Sequence, residues 1–354
     1  MKKILLCLLL LKAGHFTYGQ IAKGNVITDH INATSLKNNG GENPVRRITI
    51  YLPPGYNSTT ARYPVIYYLH GFAWSDSLLI ASDHLDLLLD NGISTGKIRP
   101  VIVVMPDEYT TYKGSFYSNS SLNGNWADFT ARDLVAYVDQ HYRTIPTTGS
   151  RGIAGHSMGG HGALKIAMLF PDVFSCVYAL SPAVLALEKD LGPNSNAYRR
   201  AQQIHTVNEL VSGWKEIQAN LVIAIGRAWS PDSNNPPFYT DLPFTYQNDS
   251  LVINTKVLDL WNRNSPLYMI DDYIGNLRKL RSIKLDWGRN DEFTHIPYTC
   301  RLFSQKLERL GIEHYAEEYI GTHGSKVSSQ DGRILNEMLP FFNTGLIFRQ
   351  TEKN

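Results

Sequence analysis

Gly155-His156-Ser157-Met158-Gly159 is the stretch on which the fold turns. Before it, Arg151 to Gly155 reads as a short strand. After it, Met158 to Phe170 reads as an Ala- and Leu-containing helix stopped by Pro171. A serine between two glycines at a strand-to-helix junction fits a strained turn, in which the residues two positions away must lack side chains. Gly160 and Gly162 extend the same tolerance, and no phosphate-binding G-x-x-x-x-G-K-[ST] or G-x-G-x-x-G pattern competes for the segment. Ser157 is therefore the candidate nucleophile.

Working outward, apolar runs at Val65 to Leu69, Val101 to Met105 and Phe174 to Leu180 have the length and the unbroken hydrophobicity of strands covered on both faces. Val45 to Leu52 alternates as a half-buried strand. Helical spacing separates the runs at Leu78 to Leu89, closing at Asn91-Gly92, and at Trp126 to Tyr142. Asn25 to Pro44 reads as a polar lead-in. This alternation predicts an α/β fold with a mostly parallel sheet and helices on both faces. From about residue 183 to 280 the rhythm breaks. The stretch holds a strand-like run at Leu221 to Ile225, a proline-bearing loop from Pro231 to Ser250, and a helix at Leu267 to Leu280 opened by Ser265-Pro266. Insertions of this length are usually lids or binding loops, so a cap is expected here. Strand and helix then resume with Ile283 to Trp287, Ile296 to Leu310, the strand His314 to Ile320, and a last helix after Gly332. The expected organisation is a signal peptide over 1–19 and one domain over 20–354 with a cap insertion at about 183–280.

A serine hydroxyl needs a histidine to take its proton and a carboxylate to fix that histidine's tautomer, and in this kind of sheet they follow in the order Ser, acid, His. Of eleven histidines, His161, His205, His295, His314 and His323 lie downstream of Ser157. His161 falls inside the helix that the serine opens, His205 in the cap, and His295 and His314 at or within secondary-structure elements. His323, in Gly321-Thr322-His323-Gly324 just past a strand, is the candidate base. Asp291, in the loop after Ile283 to Trp287, is the candidate acid, with Glu292, Asp286 and Asp232 as rivals. The backbone N–H groups of Met158 and Phe72 are candidate oxyanion donors. Tyr109 and Trp126, with Tyr112, Phe116 and Tyr117, are candidate cleft-wall residues.

With Tyr51-Leu-Pro-Pro-Gly-Tyr56, Tyr63 to Gly71, Gly155 to Gly160, Gly288 to Phe293 and Gly321 to Gly324 together, the chain resembles the esterase D-like α/β-hydrolases. That group holds feruloyl and acetylxylan esterases of carbohydrate esterase family one, S-formylglutathione hydrolases and mycolyltransferases. The resemblance runs from about Val45 to Phe342. It implies an α/β-hydrolase fold with Ser157 as nucleophile, Asp291 as acid, His323 as base, and Phe72 and Met158 at the oxyanion, and it favours Asp291 over its rivals. It also implies no metal and no organic cofactor. The expected activity is hydrolysis of carbohydrate- or aryl-linked carboxylic esters through an acyl-enzyme. Acyl transfer to an alcohol and an inactive hydrolase-like binding module are the alternatives. The cap is longer than in compact members of the group.

The 354 residues carry 34 basic against 32 acidic side chains and are 43% apolar. A balance so near neutral, with no long like-charge block, gives no electrostatic footprint for nucleic acid or a membrane surface. Three cysteines without a C-x-x-C pair exclude a zinc ribbon, a thioredoxin motif and a dense disulfide scaffold. At the N-terminus, Lys2-Lys3, the apolar run Ile4 to Leu11 and Gly19 read as a signal peptide cleaved after Gly19, so an exported protein is expected. The run falls short of the about 20 apolar residues that span a bilayer. Cys7 follows too few apolar residues to mark a lipoprotein anchor. Cleavage would leave Cys176 and Cys300, either free or paired.

Overall fold

The computed structural model describes residues 22–349. The signal peptide expected over 1–19 lies outside them, as does Cys7. Strands β1 (Asn25–Asn32), β2 (Val45–Leu52), β3 (Val65–Leu69), β4 (Ile102–Pro106), β5 (Arg151–His156), β6 (Cys176–Leu180), β7 (Ser282–Gly288) and β8 (Tyr315–Tyr319) form one sheet in the order β1-β2-β4-β3-β5-β6-β7-β8. The β1–β2 and β2–β4 pairs are antiparallel and the others parallel. The unbroken apolar runs have a simple cause. Val65, Tyr67 and Leu69 enter the core on one face of the sheet, while Ile66 and Tyr68 enter that on the other, so neither set can be polar.

Register decides where function can sit. Leu69 pairs with Gly155, His156 with Leu180, and Leu180 with Asp286, so β3, β5, β6 and β7 end level with one another. Gly288 pairs with Tyr319, which brings the loops after β7 and β8 side by side. The segments that follow these strands, carrying Phe72, Ser157, Asp291 and His323, therefore leave the same carboxyl edge. Ligands of open α/β sheets bind at that edge.

The structure departs from the sequence reading at three elements. The lead-in contains β1, an edge strand whose alternating exposure and polar residues hid it; Asp29 anchors it by accepting hydrogen bonds from Tyr137 (2.6 Å) and Tyr142 (3.0 Å). The helix read at Leu78 to Leu89 is two, Asp76–Ala81 and Leu85–Ser94, with His84 at a positive φ between them. Leu221 to Ile225 is not a strand but the middle of the helix Ile217–Trp229. This helix is buried nearly all round, which removes the one-sided period that would mark it.

The residues between β6 and β7 hold four helices (Asn196–Gln203, Val207–Val211, Ile217–Trp229 and Thr255–Asn264) and a hairpin of Phe244–Gln247 with Ser250–Ile253, then the helix Pro266–Leu277, which packs on Met158–Leu169. Tyr198, Trp229, Phe244 and Trp261 stack edge-on or tilted into one another, and their cluster is continuous with the main core. Lys165 fastens this region to the helix Met158–Leu169: its Nζ donates to Ser118 Oγ (2.6 Å) and to Asn264 Oδ1 (2.7 Å), and burial pushes its pKa down to about 7. Cys176 and Cys300 are free and buried. Among the described residues no helix is long and apolar enough to cross a membrane.

Candidate active site

Ser157 sits at φ 59° and ψ −118°, a conformation that L-residues rarely adopt, between the end of β5 and the helix Met158–Leu169. Its N–H donates to the Leu180 carbonyl (2.9 Å), and its own carbonyl accepts from His161 and Ala183 (3.0 and 3.1 Å), so the turn is held from three sides. The flanking glycines are required by backbone contact. A methyl group on Gly159 would lie 2.0 Å from the Leu69 carbonyl oxygen, and one on Gly155 would lie 2.5 Å from the Gly159 backbone. Gly159→Ala must therefore push the helix off β3. It should cost roughly 3 kcal/mol or more, read as a fall in Tm or loss of soluble protein.

His323 Nδ1 lies 2.8 Å from Asp291 Oδ2, and the Asp291 side chain is fully buried. Asp291 Oδ1 accepts from the Phe293 N–H (2.9 Å), and the neighbouring Glu292 accepts from the His323 backbone N–H (3.0 Å). Phe293 meets the His323 ring edge to face at 4.9 Å. From the other side, His156 Nε2 donates to the His323 carbonyl (2.9 Å); burial, and then the neighbouring His323, push the His156 pKa down to about 3, so this ring is a neutral donor. Loop position, ring tautomer and ring plane of His323 are thus each fixed by a separate partner. Of the rival acids, Asp286 is taken up by Tyr178 and Arg333 beneath the sheet edge, while Asp232 lies between β6 and β7 at a turn with Asn234 and Tyr239.

Ser157, His323, Phe72 and Met158 all line one cavity of about 320 Å3, whose remaining wall is mostly apolar. In the loop after β3 the N–H groups of Ala73 and Trp74 are tied to the carbonyls of Lys113 (2.9 Å) and Gly71 (3.1 Å). Among the described residues, those of Phe72 and Met158 find no protein acceptor. Gly71 lies close against the Ser157 side chain. The loop is set by His70, buried, which donates from Nδ1 to the Gly71 carbonyl (2.8 Å) and accepts at Nε2 from the Glu108 N–H (2.9 Å).

Glu108 is itself buried. Its Oε1 lies 2.5 Å from Thr130 Oγ1, which is also 2.8 Å from the Trp126 carbonyl. A threonine has one hydroxyl proton, which Thr130 divides between these two acceptors. Burial, against the hydroxyls of Thr130 and Ser115, raises the Glu108 pKa to about 8 from an ordinary 4.5. Between those values the unfolded chain sheds a proton that the folded one retains, so this carboxyl makes the protein less stable as pH rises across the window. Glu108→Gln removes that dependence. Relative to the parent it should gain roughly 3 kcal/mol between pH 5 and pH 8 in urea unfolding.

Two expected wall residues are not at the cavity. Trp126 is fully buried, its indole N–H bonded to the Asn123 carbonyl (3.0 Å) and its ring against Phe129 and Arg46. Tyr109 faces a separate surface groove with Arg46 and Asp107. A long aromatic loop must fill its own interior before it can line anything else, and Tyr112 and Tyr117 are buried likewise; of this set only Phe116 reaches the cavity. Sequence reasoning missed the neutral His156, the buried Glu108, Trp214, which a distant segment brings to the cavity exposed beside Gly213, whose carbonyl accepts from Lys113 Nζ (2.8 Å), and His295, set aside although it lies four residues after Asp291. The adjacency of His156 to Ser157 was visible; nothing in the sequence marked the others. Among the described residues no cluster of three or more His, Cys, Asp or Glu side chains is arranged as a metal site.

An esterase of Mycobacterium tuberculosis is 34% identical over 150 residues, 41% of this chain and 30% of that protein. An endo-1,4-beta-xylanase/feruloyl esterase of Xylanibacter ruminicola is 30% identical over 161 residues, 42% of this chain and 21% of that protein. The matched stretches thus span a third or less of these relatives. Among solved structures, a ferulic acid esterase superposes with a TM-score of 0.62 at 20% identity, covering 91% of this chain and 98% of its own, which establishes the shared α/β-hydrolase fold. The family model described as "Putative esterase" matches residues 43–327, a span that holds β2 to β8 together with Ser157, Asp291 and His323, and the chain belongs to that esterase family.

Proposed function

We propose that the protein is a serine carboxylic-ester hydrolase in which Ser157 is the nucleophile, His323 the base and Asp291 the residue that orients it. The observation that carries the reading is the 2.8 Å contact of His323 Nδ1 with buried Asp291, in a ring that shares its cavity with the strained Ser157. With Nδ1–H given to Asp291, Nε2 holds the free lone pair. It takes the proton as Ser157 Oγ bonds to the ester carbonyl carbon. The oxyanion is received by the N–H groups of Phe72 and Met158. Collapse breaks the carbon–alkoxy bond, the alcohol leaves with the proton from His323, and water repeats the sequence on the acyl-enzyme to release the acid.

The substrates proposed are carbohydrate- or aryl-linked esters, supported by the apolar, aromatic cavity with its exposed Trp214 at the mouth and by the feruloyl and ferulic acid esterases among the similar proteins. The test is a screen of feruloyl, acetyl and longer-chain esters with fluorophosphonate labelling of Ser157 alongside; no turnover and no labelling would reject the reading. Export after removal of residues 1–19 is proposed on the Lys2-Lys3 start, the apolar Ile4 to Leu11 and the small Gly19. N-terminal sequencing of protein from the culture medium or periplasm should begin at Gln20; a full-length product retained in the cytoplasm rules export out.

A further inference from the structure

His295 opens the helix His295–Arg309 four residues after Asp291 and is among the residues that line the same cavity as Ser157 and His323. The side chain is about 1% exposed. Its Nδ1 lies 3.0 Å from Asp190 Oδ1, and that same oxygen accepts from the His295 backbone N–H (2.6 Å) and from Thr294 Oγ1 (3.0 Å). Asp190 lies between β6 and β7, so the site holds a second Asp–His pair beside the first. Burial opposes ionisation of Asp190, but the bonds from His295 and Thr294 outweigh it and hold the carboxyl below its usual range.

Capping of the helix by Asp190 accounts for the carboxylate. It does not account for the far side of the ring. In the neutral ring with Nδ1–H donated to Asp190, Nε2 is an acceptor, and this buried atom has no hydrogen-bond partner among the described residues. A buried acceptor left without a donor is costly, and a native protein retains one chiefly where something else supplies the donor. The cavity wall around it is largely apolar, with Phe293, Trp214, Ile217 and Leu221 contributing carbon surface.

We propose that His295, held by Asp190, is a specificity-determining residue that accepts a hydrogen bond from a hydroxyl group of the ester substrate. The inference rests on Ser157 as the nucleophile of this cavity. The ligand chemistry is a neutral hydroxyl donor on either half of the ester. A methoxy group of similar size can accept but not donate, and so is rejected.

The test uses two substrate series. One is methyl esters of arylpropenoic acids bearing hydroxyl, methoxy or hydrogen at the ring position para to the side chain. The other is acetates of cyclohexanol bearing the same three substituents at C4. In one series the hydroxyl member should show a KM roughly tenfold or more below its methoxy and hydrogen analogues. The series in which this appears identifies the half of the ester that His295 reads. His295→Asn keeps a nitrogen donor towards Asp190 and takes the acceptor away from the Nε2 position, which the shorter carboxamide does not reach, so the ratio should collapse towards one. Equal KM values for hydroxyl and methoxy members in both series of the unaltered protein overturn the proposal, whether or not the variant folds. A preference that survives in His295→Asn overturns it too. Fluorophosphonate labelling of the unaltered protein separates the two readings: labelling without hydroxyl preference defeats this inference alone, and absence of labelling defeats the esterase reading and this one with it.

Discussion

Replacement of Ser157 by Ala should lower kcat on p-nitrophenyl and methyl esters by a factor on the order of 10^4 or more, abolish fluorophosphonate labelling, and leave Tm almost unchanged. The size of the effect follows from the loss of the covalent route: without the hydroxyl, His323 can only activate water, and the oxyanion donors and binding contacts are what remain. The small effect on folding has a local reason. Alanine and serine face the same cost at φ 59° and ψ −118°, and the turn is held by backbone bonds to Leu180, His161 and Ala183, which the substitution leaves in place. Hydrolysis within tenfold of the parent would remove Ser157 from the mechanism.

Asp291→Asn should cost about 10^3 to 10^4 in kcat, with the fold preserved. The direction in which the amide would sit is set by its surroundings. Oδ1 already accepts from the Phe293 N–H, so the carboxamide oxygen keeps that bond and turns the NH2 group towards His323 Nδ1. A donor there forces the ring proton onto Nε2, the atom that receives the serine proton in the proposed mechanism. Glu292→Gln is the contrasting variant. Glu292 holds only the backbone N–H of His323, an interaction that a glutamine oxygen reproduces, so kcat should change by less than about tenfold. Steady-state kinetics on one ester compares the two, and equal losses would leave no distinction between the neighbouring carboxyls.

Much of this site was legible in the sequence because its parts follow consecutive strands. The unbroken apolar runs located β3, β4 and β6, and Ser157, Asp291 and His323 each follow a strand that ends at the carboxyl edge. Loop position therefore stood in for spatial position. The same shortcut failed for Trp126, which is buried in the packing of its own segment, for Tyr109, which faces a separate surface groove, and for the run Leu221 to Ile225, where burial on all sides erased the difference between a strand and a helix. It passed over His295 as well, because a histidine at the first turn of a helix has nothing in its own neighbourhood to show that Asp190, about a hundred residues earlier, will fix its ring.

Periodicity and local backbone requirements such as Gly155 and Gly159 made the class of fold and the serine turn legible in the chain, and strand order with loop placement offered His323 and Asp291 as candidates. The tertiary structure alone decided which polar groups lost their water: that His156 is a neutral donor beside His323, that burial raises the pKa of Glu108, whose backbone N–H holds His70, and that His295 Nε2 is buried without a partner among the described residues. The physical reason is that hydration is a property of the assembled surroundings. A residue's periodicity is fixed by its neighbours in the chain, whereas its protonation and its unmet hydrogen bonds are fixed by segments that only folding brings together.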